Sequence, residues 1–164
     1  MAQLDERLLN VDRHGCLRIP GALWLALAFL ARHVLLAAVI FATAKRSPDV
    51  VRLLGDDFNW FMLVFELPAV ALMVAAANRT TDAPQLVRWI WHRGRGIVVG
   101  LALLHLLLAI WLLATSDVWN TWPELFVASC ALIDLAIAHG VRRDDFFRQL
   151  FAEFPVPTPA RENP

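Results

Sequence analysis

The chain has 164 residues, 59% of them hydrophobic, with a mean hydropathy of +0.54 and a formal net charge of zero. Soluble domains run at about 45–50% apolar, so this excess needs an apolar solvent as well as an apolar core. The neutral balance excludes the bulk positive field with which a protein attracts nucleic acid.

Length allows one domain. Residues 1–155 are expected to form a single transmembrane unit, and 156–164 a disordered tail ending a segment with Pro155, Pro157, Pro159 and Pro164. Residues 1–20 are polar, mixed in charge, and end at Pro20. The first apolar run is Gly21 to Thr43. As a helix it is roughly 34 Å long, enough to span the hydrocarbon. Ala42-Thr43-Ala44 mimics a signal-peptide cleavage site, but the run and its polar leader are too long, and a retained helix is expected.

Residues 44–57 read as a polar loop, in which Ser47-Pro48 and Gly55 bracket one or two interfacial turns over Asp49–Leu54. The second run is Phe58 to Ala77, with a kink expected at Pro68. Asp82-Ala83-Pro84 reads as a cap followed by an early helical proline, which starts a third helix in the headgroups with Leu86, Trp89 and Ile90 along the surface. Its spanning part is Gly96 to Thr115. A hairpin over 116–121 leads to a fourth run, Trp122 to His139. The fold class is therefore all-α: a polytopic four-transmembrane-helix bundle.

Basic residues set its orientation. Arg7, Arg13 and Arg18 precede the first run; Arg79, Arg88, Arg93 and Arg95 lie between the second and third; Arg142, Arg143, Arg148 and Arg161 follow the fourth. With four spans these segments share one side, and only Lys45, Arg46 and Arg52 lie on the other. The positive-inside rule then puts both termini in the cytoplasm. Trp24, Trp89 and Trp91 fall at the inner interface, and Trp60, Trp111, Trp119 and Trp122 at or near the outer one, as aromatic belts do.

Every span carries an ionisable group: Arg32 and His33 in the first, Glu66 in the second, His105 in the third and Asp134 in the fourth. Each costs about 2.5–3.5 kcal/mol at mid-membrane, so they should face inward and find one another. Arg32 and Glu66 are at matching depths, which predicts an Arg32–Glu66 ion pair. Asp134 is nearer the cytoplasmic end, within reach of water or of Arg142. The set reads either as a lock that fixes packing or as a polar pathway for protons or a charged solute. His33 and His105 also permit a third reading, two axial ligands of a b-type haem, although no cofactor is the main expectation.

No phosphate loop, GxSxG or HExxH is present, so no catalytic residues are assigned and no enzyme is expected. Cys16 and Cys130 fall at different depths, with neither a disulfide nor metal-ligand spacing expected. Arg88, Trp89, Trp91, Arg93 and Arg95 form a candidate lipid-headgroup contact. Phe147, Leu150, Phe151 and Phe154 share one face of a helix over 144–154. That face could lie on the membrane, dock on the protein's own loops, or bind a partner. The expected partners are the bilayer itself and another membrane protein or a second copy.

Several short segments stand in a fixed order and spacing along the chain. They are Asp12-Arg13-His14-Gly15-Cys16-Leu17-Arg18-Ile19-Pro20, Leu23-Trp24, Arg32, Leu67-Pro68-Ala69, Asp134, and Phe147 through Phe151-Ala152-Glu153-Phe154-Pro155. On these the chain resembles the YfeZ-like inner-membrane proteins of bacteria, catalogued as a domain of unknown function. The resemblance implies about four spans and supplies no site residues. It also implies a small residue where this chain has Glu66, which leaves Arg32 open to another partner.

Overall fold

The computed structural model describes residue 11 and residues 16–43, 60–115 and 121–155. The turns expected over Asp49–Leu54, the 116–120 hairpin, Trp119 and the 156–164 tail lie outside the described residues. Among those described, regular structure is helical, apart from one antiparallel bridge between Val11 and Leu17.

The first apolar run forms two helices, α1 (Gly21–Leu30) and α2 (Arg32–Thr43), bent by 74° across Ala31. Neither proline nor glycine stands at the break, so local sequence does not cause it. α3 (Phe61–Ala77) runs on through Pro68, the expected kink site. At 17 residues it is about 25 Å long, near the lower limit for a span. α4 (Gln85–His92) begins directly after Pro84, where the missing amide removes an unbonded donor. It is strongly amphipathic and leaves Leu86 and Trp89 exposed, as a surface helix should. Among the described residues, α5 (Gly94–Thr115) and α6 (Thr121–Arg143) are the two helices that meet the length and hydropathy of a membrane crossing outright; α1 and α2 together would make a third. Arg142 and Arg143 close α6 against its own negative dipole end. α7 (Asp145–Ala152) starts at Asp144, whose Oδ1 accepts the Phe146 amide at 2.8 Å.

α5 and α6 form a closely packed hairpin; α3 packs on α1, α2, α4 and α5, and α7 crosses the ends of α4, α5 and α6. Leu23, Leu27 and Leu30 follow i, i+4, i+7 along α1 and meet Ala69, Leu72 and Ala76 of α3. Val98, Leu101 and Ala102 of α5 and Ala138 and Val141 of α6 complete this core, which Trp91, Leu150 and Phe151 close at one end. Lipid tails are as apolar as leucine, so within a membrane such a core is held by packing and polar contacts more than by expulsion of water. The alanines permit that close approach. Beyond the break the core is thin among the described residues, where Ala37 and Ile40, with Leu63 against them, form the buried cluster.

Candidate functional site

The break in α1–α2 leaves backbone groups that an unbroken helix would have paired. The amides of His33 and Val34 both donate to Glu66 Oε2, at 2.9 and 3.0 Å. The Phe29 carbonyl, which the His33 amide would normally reach, accepts Arg32 Nη1 at 3.3 Å. Two ionisable side chains thus replace the missing hydrogen bonds on both sides of the bend. The positive end of a half-helix aimed at a carboxylate is a favourable arrangement, and far stronger in lipid than in water.

The other four groups close around this point. His33 Nδ1 lies 2.5 Å from Glu66 Oε1. His105 places Nε2 3.7 Å from the same oxygen, while its Nδ1 lies 3.3 Å from Arg32 Nη1 and 3.8 Å from Asp134 Oδ1. Arg32 Nη1 pairs with Asp134 Oδ1 at 3.5 Å, and the guanidinium also stacks on Phe29. Glu66 and Asp134 are fully buried, whereas the Arg32 and His33 side chains keep 26% and 30% of their exposure. All five intramembrane ionisable residues named from the sequence therefore meet in one cluster.

Their pairing differs from the expected one. Arg32 is bonded to Asp134, not to Glu66, because the bend turns the His33 side chain and two amides onto Glu66. Asp134 looks inward to Arg32, not to Arg142, which is exposed. The haem reading does not fit: Glu66 stands between the two imidazoles, each of which turns a nitrogen to Oε1. Two axial histidines need that place for iron. Among the described residues no group of three or more His, Cys, Asp or Glu side chains is arranged to hold a metal ion.

Beside the cluster, on the thinly packed side of the break, is a cavity of about 300 Å³. Arg32, His33 and His105 form its polar floor, and Met62, Leu108, Trp111, Leu112 and Phe126 are among its walls. Cys130 also lines it, while Cys16 is buried elsewhere.

At the opposite end the chain is latched shut by contacts that the sequence did not reveal. Buried Arg79 donates to the carbonyls of Leu17 at 2.7 Å and Glu153 at 3.0 Å, and stacks on Trp91. Trp91 Nε1 donates to the carbonyls of Leu150 and Glu153 at 3.1 and 2.9 Å. Glu153 Oε2 accepts the Leu17 amide at 2.9 Å, and His92 Nδ1 donates to the Phe151 carbonyl at 3.0 Å. The N-terminal segment, the α3–α4 connection and α7 are thereby tied together.

Two surface readings change as a result. Trp91 is 0% exposed and cannot touch a lipid headgroup. Arg88 donates to the carbonyls of Thr81 and Ala83, and Arg95 to those of Val141 and Arg142. Of the five proposed headgroup residues only Trp89 and Arg93, stacked on one another, remain exposed. The apolar face of α7 is spent within the protein: Leu150 and Phe151 are buried, and Phe147 and Phe154 pack on the same core. Of the three arrangements anticipated, the structure has this face docked within the protein. Gly94 permits it, since a Cβ there would stand 2.6 Å from Phe151 Cδ1 and 2.9 Å from Leu72 Cδ1.

Long apolar helices, with their ionisable groups gathered at one broken helix, define an all-helical membrane protein. Over residues 7–153 the sequence matches the family described as Protein of unknown function (DUF2919), and the chain belongs to that family. It is 27% identical to the inner membrane protein YfeZ of Escherichia coli (strain K12), over 69% of this chain and 91% of that protein. No solved structure matches it.

Proposed function

We propose that this is a non-catalytic accessory protein of the bacterial inner membrane, crossing it four times with both ends cytoplasmic, in which buried charges fix the packing of the bundle. The observation that carries this reading is the mutual pairing of Arg32, His33, Glu66, His105 and Asp134 from four different helices. A pairing of this kind specifies one register among helices whose apolar surfaces could slide. The orientation is supported by the clustering of Arg79, Arg88, Arg93, Arg95, Arg142 and Arg143 on segments at the latched end.

A partner membrane protein or a second copy would meet the lipid-facing helix surfaces, because the α7 face is occupied. The test is purification from native membranes in mild detergent, with mass spectrometry of what accompanies the chain. The reading expects a defined assembly, and Glu66→Gln and Asp134→Asn should lower its stability. A stable monomer with no companion, unaffected by either substitution, would overturn it.

The broken helix favours a second reading, a small-solute or proton-coupled transporter component. Half-helices whose inner amides face a charge at mid-membrane are a recurring device for holding transported ions. Proteoliposomes with an internal pH dye separate the two. A transporter would lose flux, and keep its fold, when Glu66 or Asp134 is neutralised.

A further inference from the structure

We propose that the cavity beside the charge cluster binds a compact apolar molecule through a neutral carbonyl-type oxygen. The inference rests on the cavity's own chemistry and goes beyond the locking role.

Its volume, about 300 Å³, is at the lower bound of ligand sites. Trp111, Phe126, Met62 and Leu112 give it aromatic and flexible apolar walls. The polar floor presents unused donors. All the hydrogen bonds of Arg32 run from Nη1, although a guanidinium carries five N–H groups and accepts nothing. Because Arg32 can only donate, His105 Nδ1 must accept, and the neutral ring then carries its proton on Nε2. That Nε2 is buried on the Glu66 side, 3.7 Å from Oε1 and away from the cavity, so the donors left to the cavity are the unused N–H groups of Arg32.

Charge balance selects the acceptor. Arg32 offsets Asp134, and Glu66 is a second carboxylate facing both imidazoles. The cluster has no positive charge to spare, and a full anion would add an uncompensated charge in a low-dielectric site. A cation would meet donors only. Asp134 Oδ2 is also unpaired, but Asp134 does not line the cavity. An apolar body with a neutral oxygen satisfies both the walls and the floor.

Duroquinone and durene share a tetramethyl six-membered ring and differ by the two carbonyl oxygens, so they make a matched pair of probes. The experiment measures saturable binding to the full chain in lipid nanodiscs, corrected for partition into empty discs. The expected result is one site per chain, with duroquinone preferred by about tenfold or more. Ala109→Phe, which fills the cavity from one turn beyond His105, should weaken duroquinone binding by at least about tenfold. Leu25→Phe, on an exposed part of α1, should leave it unchanged. Equal binding of durene, no saturable component, or binding unaffected by Ala109→Phe would overturn the proposal. If Ala109→Phe fails to fold, the preference between the two probes on the unaltered chain decides.

Discussion

Glu66 and His33 meet twice: one carboxylate oxygen lies 2.5 Å from the imidazole Nδ1, and the other accepts the amide of the same residue at 2.9 Å. A side chain and its own backbone are thereby held by a single carboxylate from a neighbouring helix. This double contact, with the Val34 amide as a third, makes the bend at Ala31 a tertiary feature imposed on a sequence that would otherwise run straight.

Removing the carboxylate should therefore cost more than removing one hydrogen bond. Breaking a buried pair costs about 3–5 kcal/mol in water-soluble proteins, while single polar contacts within membranes average about 0.6 kcal/mol. Glu66 holds two amides and faces two imidazoles, so Glu66→Leu is expected to destabilise by about 3 kcal/mol, and Glu66→Gln by less. Reversible unfolding in mixed micelles measures both, and a change under about 0.5 kcal/mol for Glu66→Leu would contradict the bonding described.

The pairing of the cluster is open to a double-mutant cycle. Arg32→Gln with Asp134→Asn should show a coupling energy of about 0.5–3 kcal/mol, and Arg32→Gln with Glu66→Gln a smaller one. A larger Arg32–Glu66 coupling would restore the ion pair expected from depth alone.

Gly94→Ala should loosen α7, because the added methyl group meets the ring of Phe151, itself buried against Trp91. Overpacking of this sort costs about 1–3 kcal/mol. The readout is limited trypsin cleavage at exposed Arg148, expected to quicken by about tenfold or more for a destabilisation of this size. Unchanged cleavage would show that the α7 helix is not held through this contact.

Arg79 spans two carbonyls with two different nitrogens while lying flat on Trp91. Lysine has neither the fork nor the plane. Arg79→Lys should accelerate cleavage at Arg148 almost as much as Arg79→Ala, and full rescue by lysine would show that charge alone matters.

The helical class was legible in the sequence because the length of the apolar runs reports it directly, and α4 begins within one residue of its proline signal. The buried faces were not, because runs such as Gly21–Leu30 are apolar all round and Leu23, Leu27 and Leu30 have apolar neighbours on every side. The members of the charge cluster were legible too, since lipid forces ionisable groups inward. Their pairing was not. Depth matching assumes straight helices, and the bend at Ala31 rotates Arg32 toward α5 and α6 and His33 toward α3. The local warning was an Arg-His pair at mid-span, which by itself signals cost and not geometry. Trp91 was misplaced for a related reason: a basic, aromatic connection looks the same in sequence whether it meets headgroups or folds back under the C-terminal helix.

The bend itself is the claim on which the rest depends. Spin labels at Ala22→Cys and Ala42→Cys, both exposed positions, would stand roughly 30 Å apart on a straight helix. With the 74° bend the separation falls to roughly 24 Å. Double electron–electron resonance in nanodiscs, with Cys16 and Cys130 replaced, should give the shorter distance in the native chain and a longer one in Glu66→Leu. A distance near 30 Å in both would contradict it.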